Sequence, residues 1–194
     1  MRDNLVHQEK YKDFEIEIYQ DLDPMDPRSW DNVGTMVCFH KRYTLGDKSD
    51  LSMGELNELI KRKDVIALPL YLYDHSGISM STGRQYPFNC PWDSGQVGYI
   101  FVTHENIRKS FATKRLTKKV LKNALECLES EVKVYNDYLI GDVYGYVVKR
   151  NGGQVDSCWG YIGEYDGKEY GALVAAKEMV DGYNSSKCFI EEGI

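Results

Sequence analysis

The chain has 194 residues, of which 42% are hydrophobic and 28% charged, and its net charge is -6. This length and composition predict one well-packed globular domain, and they exclude a disordered chain, a collagen-like fibre and a disulfide miniprotein. Because the sequence has no run of 18 apolar residues and its first residues lack the apolar core of a signal peptide, we expect a soluble cytoplasmic protein without a membrane span.

The first quarter of the chain predicts two strands, a loop and a short helix. Residues 14–19 alternate apolar and polar side chains, which indicates a half-buried strand. Residues 21–31 contain two prolines among acidic neighbours and predict a loop, and residues 35–43 are rich in β-forming residues. A short helix is expected next, with Asp50 or Ser49 as its N-cap.

Two further strands are expected in the middle of the chain. Residues 65–73 form a nearly continuous apolar run, which favours a central position in a sheet, although Pro69 cannot donate to a ladder. Residues 96–103 are again apolar and β-branched or aromatic, so we predict a second strand there.

The clearest element is a long amphipathic helix. Over residues 116–139 apolar side chains recur every three or four positions. Thr113 or Thr117 can cap its start, and Gly141 can close its end.

The last quarter predicts a hairpin and a final helix. Residues 143–150 and 157–164 flank the turn sequence Asn-Gly-Gly at 151–153, and residues 172–181 carry apolar side chains at helical spacing. The expected class is therefore α+β, with an antiparallel or mixed sheet on which one long and two shorter helices pack.

The cysteines do not indicate a metal centre or a disulfide framework. The five residues are odd in number and scattered, without a Cys-x-x-Cys spacing, at Cys38, Cys90, Cys127, Cys158 and Cys188. We expect free thiols, no metal and no cofactor.

Charge is segregated along the chain. Seven basic residues and no acidic ones lie between positions 108 and 122, so the rest of the chain is more acidic than the net charge suggests. An acidic body argues against direct nucleic-acid binding, which needs a broad positive surface. It suits a basic or nucleic-acid-binding protein as partner, because complementary fields speed encounter, although acidity can also serve solubility alone.

A catalytic site would have to use residues in the loops that follow strands. His75, in a turn beside Asp74, is the most suggestive of the four histidines, whereas His7 is expected in an irregular terminus. Cys158 precedes a tryptophan, as does the nucleophile of papain-like proteases, but every histidine precedes it and the flanking sequence predicts a strand. A packed thiol is the simpler interpretation for Cys158, and Asp93 is the further candidate for a catalytic set.

Four aspartates crowd the loop at 21–31, namely Asp21, Asp23, Asp26 and Asp31. Close carboxylates raise one another's pKa and attract a cation or a basic side chain. The spacing does not fit a calcium-binding EF-hand loop, so we favour a loop braced by Arg28 over a metal site.

Aromatic residues near turns are the most unusual feature of the sequence. Fifteen tyrosines and three tryptophans are present, and a long loop surrounds Trp92. Tyrosine and tryptophan offer a large contact area at low entropic cost, although many of them fill sheet cores. We predict a binding surface made of Asp23, Asp26, Trp30, Asp31, Trp92, Asp93 and Trp159.

Several segments spread over most of the chain carry a resemblance to a known family. They are Asp-Pro-Arg at 26–28, Trp-Asp-Asn at 30–32 with Gly-Thr-Met-Val at 34–37, Leu-Tyr-Leu-Tyr-Asp-His-Ser-Gly at 70–77, Pro-Trp-Asp-Ser-Gly-Gln-Val-Gly at 91–98, Gly-Asp-Val-Tyr-Gly at 141–145 and Asp-Ser-Cys-Trp-Gly at 156–160. Through these segments the chain resembles a family of small proteins carried by bacteriophages and mobile elements. The resemblance implies a phage accessory role, and small acidic phage proteins are often inhibitors of host defence.

Two functions therefore compete. The first is a non-enzymatic inhibitor that covers a surface of a host defence complex of the CRISPR or restriction type. The second is a small hydrolase or nuclease that gathers Asp74, His75, Asp93 and Cys158. We expect the first, and with it that imidazole, carboxylate and thiol groups do not come within bonding reach in an open cleft.

Overall fold

The structure, a computed structural model, describes residues 4–83, 86–90 and 92–191. In these ranges the chain is α+β, as predicted, with two antiparallel four-stranded sheets and four α-helices. The strands are β1 Leu5–Tyr11, β2 Phe14–Gln20, β3 Thr35–Cys38, β4 Val65–Asp74, β5 Ile78–Thr82, β6 Ser94–Thr103, β7 Val143–Arg150 and β8 Gly153–Ile162. The helices are α1 Met53–Leu59, α2 His104–Ser110, α3 Lys118–Ile140 and α4 Ala172–Glu191, with a 3₁₀ turn at Pro27–Ser29.

The chain divides into two compact units. One, the terminal unit, contains Met1–Met25 and Gly141–Ile194, and the other, the inserted unit, contains Asp26–Ile140. The single domain that we expect from the length stays a prediction. No helix within the described ranges has the length and apolar character needed to cross a membrane.

The terminal unit is a sheet of order β1-β2-β7-β8 with α4 packed on it. Phe14, Ile16 and Ile18 of β2 lie on one face of the sheet because side chains alternate along a strand. They form a core with Ala172 and Ala176 of α4, which are four positions apart and so share one helix face.

The inserted unit has a sheet of order β3-β6-β4-β5. The apolar run of 65–73 is internal as predicted, since β4 pairs with both β6 and β5. Leu70 and Ile100 face α3, where Ala124, Leu128 and Val132 are buried in the same core.

Several predicted boundaries are wrong for local reasons. The strand predicted over 35–43 ends at Cys38, since the chain turns at His40, whose Nδ1 accepts from the backbone N–H of Arg42 and of Tyr43. The first helix is capped by Ser52 instead of Asp50 or Ser49, because Ser52 and Glu55 form a reciprocal capping box.

Other elements were longer than expected or not expected at all. His7 lies in strand β1 and not in an irregular terminus. β5 and α2 were not predicted, and α4 continues ten residues beyond the predicted end at 181. α3 begins after Thr117, whose Oγ1 accepts from Val120 N, and Gly141 follows its end with a φ of 83°.

Candidate functional site

The loop that carries Trp30 is fixed by the buried guanidinium of Arg28. The Nε and Nη2 atoms of Arg28 donate to the two oxygens of Asp47 at 2.9 and 2.8 Å, and Nη1 donates to Glu131 Oε2 at 2.9 Å. Nη2 also donates to the carbonyl of Gly34 at 2.8 Å, and the Arg28 side chain is only 4% exposed. Burial alone lowers the pKa of Arg28, but the hydrogen bonds to Asp47 and Glu131 outweigh it, so the pKa is raised and the group stays charged.

Arg28 holds the loop, but its ion-pair partners are not the loop's own aspartates. Its side chain reaches Asp47 and Glu131, which lie in other parts of the inserted unit. Asp26 instead caps the 3₁₀ turn, with Oδ1 accepting from the backbone N–H of Arg28 at 2.8 Å. Within the described ranges no group of three His, Cys, Asp or Glu side chains could hold a metal ion.

Glu131 of α3 docks the loop a second time. Its Oε1 accepts from the backbone N–H of Val33 at 2.7 Å and of Gly34 at 3.1 Å. Gly34 is buried so closely that a Cβ there would lie 2.4 Å from Leu128 Cδ2. The loop backbone therefore lies directly on α3.

A groove of about 550 Å³ runs between this loop and α3. Trp30 and Val33 line it from the loop, and Phe111, Cys127 and Val134 line it from the other side. Trp30 remains 47% exposed, so its ring is available from the groove.

Trp92 and Asp93 belong to a second concave region, which we call the Trp92 cleft. It has a volume of about 630 Å³, and its lining includes Phe39, Arg42, Asp74, Trp92 and Asp93. Trp92 is 92% exposed. Its ring is therefore almost entirely open to contact.

Two reactive side chains, those of His75 and Cys90, contact the carboxylate of Asp93 beside the cleft. His75 Nδ1 lies 3.3 Å from Asp93 Oδ2, and the thiol of Cys90 donates to the same oxygen over 3.4 Å. Asp74 does not orient His75, because it binds the guanidinium of Arg42 and accepts from the hydroxyl of Tyr43 at 3.2 Å.

The expectation that imidazole, carboxylate and thiol stay apart is therefore wrong for these three groups. The thiol is Cys90, however, and not Cys158. Both Cys90 and His75 contact the carboxylate, whereas an activated nucleophile must contact its base. Among the described residues we find no hydrogen bond from the imidazole of His75 to a thiol or a hydroxyl.

Cys158 lies in the terminal unit, on β8, while Asp74, His75 and Asp93 lie in the inserted unit. Its side chain is exposed, so the interpretation as a packed thiol is wrong. Its neighbour Trp159 is 47% exposed and lies against β7, where a Cβ on Gly145 would meet the indole at 2.3 Å. The ring of Tyr19 lies 6.2 Å from that of Trp159, so the indole is supported from two strands.

The predicted binding residues thus fall into separate places. Trp30 and Asp31 line the groove, Trp92 and Asp93 line the Trp92 cleft, and Asp26 caps the turn before Trp30. Asp23 and Trp159 lie in the terminal unit, where both are exposed.

Sequence reasoning missed four residues that hold these places together. Asp47 and Glu131 fix Arg28, Cys90 contacts Asp93, and Gly145 leaves room for Trp159. Gly145 stands out in a predicted strand, where glycine often marks a close approach, and that signal could have indicated it. No family model, curated protein or solved structure matches this chain.

Proposed function

We propose that this protein is a non-enzymatic inhibitor, acting in the host cytoplasm, that binds a basic or nucleic-acid-binding protein of a host defence complex of the CRISPR or restriction type. Binding uses the acidic and tryptophan-bearing surfaces. The observation that carries the proposal is the exposure of all three tryptophans: 47% for Trp30, 92% for Trp92 and 47% for Trp159.

An exposed indole is better explained by a role in protein recognition than by a role in the folded core. Tryptophan is a frequent anchor residue at interfaces, and an exposed ring contributes little to the core. The loop of Trp30 is fixed before binding by Arg28 and Glu131, which reduces the entropy lost when a partner is bound.

Charge and family resemblance support the class of partner. A net charge of -6 favours a basic surface on the partner, and nucleic-acid-binding proteins have such surfaces. The part of the proposal that concerns host defence rests on the resemblance to bacteriophage and mobile-element proteins.

The decisive experiment measures whether the protein protects an infecting phage from a defence system of its host. Cells with a CRISPR or restriction system that blocks this phage express either the wild type or a Trp30→Ala, Trp92→Ala or Trp159→Ala variant. We expect the wild type to raise the plating efficiency and at least one of the three variants to lose that effect. Tyr170→Ala is the matched control, because Tyr170 is also an exposed aromatic, at 85%, outside the predicted binding set.

A companion pull-down tests the partner directly. We expect the wild type to retain a component of the defence complex and the inactive variant to release it. Because opposite charges hold the complex, raising salt from 50 to 300 mM is expected to weaken it by about tenfold. If the protein never raises the plating efficiency, it is not an inhibitor of these defence systems. If added salt does not weaken the complex, opposite charges do not hold it.

A hydrolase remains the second candidate because of one observation, the 3.3 Å contact between His75 Nδ1 and Asp93 Oδ2 at the edge of an open cleft. A carboxylate that orients an imidazole is a recurring device for a general base. Asp74 is committed to Arg42 and Tyr43, and Cys90 is the thiol on the same carboxylate.

A screen of esterase and nuclease substrates, with and without divalent metal ions, separates the two functions. Activity in the wild type that falls on His75→Ala and persists on His104→Ala favours the hydrolase. His104 is the matched control because it starts α2, away from the contact between His75 and Asp93. No activity that depends on His75 leaves binding as the function.

A further inference from the structure

The groove between the Trp30 loop and α3 is lined by apolar side chains and by carboxylates. Val33, Phe111 and Val134 provide apolar surface, and the indole of Trp30 forms one wall. A volume of about 550 Å³ exceeds that of any single side chain and lies within the range of pockets that bind small ligands or peptide segments.

Most of the charged residues that line the groove are acidic. Its lining includes the carboxylates of Asp31, Glu126 and Glu131, and the one guanidinium among the described lining residues belongs to Arg28. Arg28 is 4% exposed and bound to Asp47 and Glu131, so the charges of Arg28 and Glu131 offset each other inside the protein, and Asp31 and Glu126 are the other carboxylates of the lining. Lys122 pairs with Glu126 at 3.1 Å, but both groups are largely exposed and this pair is weak.

Of the three carboxylates in the lining, those of Asp31 and Glu126 are exposed. Asp31 lies next to Trp30, on a loop that Arg28 and Glu131 hold in place. A cation that approaches the groove therefore meets an acidic group next to an exposed indole, and the carboxylate attracts it.

We propose that this groove binds a short segment of the partner protein in which one large apolar side chain is flanked by lysine or arginine residues. The proposal rests on the function proposed above and names the chemistry of one contact. The apolar side chain enters between Trp30 and α3, and the flanking cations lie near Asp31 and Glu126.

Cys127 allows the groove to be tested without a partner protein. Its thiol lines the groove and is half-buried, while that of Cys158 is exposed on β8. The probe is an acetylated and amidated peptide with one phenylalanine between two pairs of lysines. Alkylation of each cysteine by iodoacetamide is followed by mass spectrometry.

We expect the lysine peptide to slow alkylation of Cys127 by roughly fivefold near saturation, because the occupied fraction sets the free fraction. Alkylation of Cys158 should not change. A peptide with glutamates in place of lysines, and one with alanine in place of phenylalanine, should give no protection.

Two variants, each of which removes one negative charge, show where the peptide binds. Asp31→Asn is expected to raise the dissociation constant of the lysine peptide several-fold, and Asp50→Asn should leave it unchanged, since Asp50 is exposed but lies outside the groove. Cys127 alkylated at the same rate with and without the lysine peptide overturns the inference. Equal protection by the glutamate peptide, or equal weakening by both variants, overturns it as well.

Failure here is distinguishable from failure of the proposed function. If Cys127 stays unprotected while the protein still raises phage plating, the groove is not the contact but the inhibitor function stands. If Cys127 is protected but no defence system is inhibited, the groove binds such segments and the inhibitor function is wrong.

Discussion

Arg28 is the residue on which the geometry of the Trp30 loop most depends. Its guanidinium satisfies carboxylates from two distant positions, Asp47 and Glu131, and also the carbonyl of Gly34. Its planar fork matches the two oxygens of Asp47, which a lysine cannot do. Removing one partner from a buried ion pair leaves a charge without compensation.

We therefore predict that Arg28→Ala lowers the free energy of unfolding by about 3–5 kcal/mol, as measured by urea denaturation. The matched control is Arg62→Ala. Arg62 also pairs with an aspartate, Asp64, but both side chains are about half exposed, so the expected loss is much smaller than that of Arg28→Ala. Equal losses in the two variants would mean that the Arg28 network contributes no more than a surface pair.

Buried proton-bearing groups predict how stability changes at high pH. Burial raises the pKa of the Cys38 thiol from 9.0 to about 12, and burial also raises that of Tyr135 from 10.0 to about 12. The unfolded chain loses these protons first, so their stabilising contribution is complete below pH 9 and is lost as pH rises towards 12.

We expect the free energy of unfolding to fall by roughly 1.4 kcal/mol per pH unit for each such group within that window. Urea denaturation at several values between pH 8 and 11.5 measures the slope. In Cys38→Ala the fall between pH 9 and 10 should become smaller, because Tyr135 loses its proton later in the unfolded chain. A slope identical to that of the wild type would show that Cys38 titrates normally.

At the scale of elements, the β7–β8 hairpin depends on one backbone conformation. Its two-residue turn places Asn151 at φ 51° and Gly152 at φ 80°, which is the left-handed pair that matches the twist of a hairpin. No atom lies within 4 Å of a Cβ built on Gly152, so the backbone angle alone resists a side chain there.

Gly152→Ala is accordingly expected to cost about 1 kcal/mol in the free energy of unfolding, measured by urea denaturation. Gly153→Ala provides the comparison one position later, where φ is not positive and the nearest atom, the carbonyl oxygen of Arg150, is 3.7 Å away. Its effect should stay within about 0.5 kcal/mol. A cost at Gly153 equal to that at Gly152 would argue against the left-handed turn.

The elements that could be predicted are those with a clear apolar pattern. α3 buries Ala124, Leu128, Val132 and Tyr135 at helical spacing, so periodicity identified it. β4 is apolar along most of its length, so its continuous apolar run identified it. β1 has no fully buried side chain and alternates only between half-buried and exposed residues. α2 buries a single residue, Ile107, so its sequence shows no repeated spacing of apolar residues that could indicate a helix.

Some features of the candidate sites could likewise be predicted from the sequence, and others could not. Exposure of Trp30 and Trp92 followed from their positions in loops, because loops lie at the surface. Trp159 lies within β8, so its exposure did not follow from that rule. The partners of Arg28 could not be predicted, because Glu131 is 103 positions away and its neighbours on the polar face of α3 look the same in sequence. The contact of Cys90 with Asp93 depends on how one long loop folds, for which residue patterns give no rule.

On the scale of the whole molecule, the two units have separate apolar cores. Phe14, Ile16 and Ile18 pack with α4 in the terminal unit, while Leu70 and Ile100 pack with α3 in the inserted unit. The strand pairing follows the same division, since each sheet draws its strands from one unit. Each core is therefore complete within its own unit.

We predict that residues 26–140, expressed without the rest of the chain, fold on their own. The fragment keeps the whole β3-β6-β4-β5 sheet, α3 and the Arg28 network with Asp47 and Glu131. It should unfold in one cooperative transition in urea, and the groove probe should protect Cys127 as in the full chain. Leu128→Asp in the fragment is the control, because a charge in this fully buried position should abolish the transition. A fragment that shows no transition before substitution would mean that the chain folds only as the one domain expected from its length.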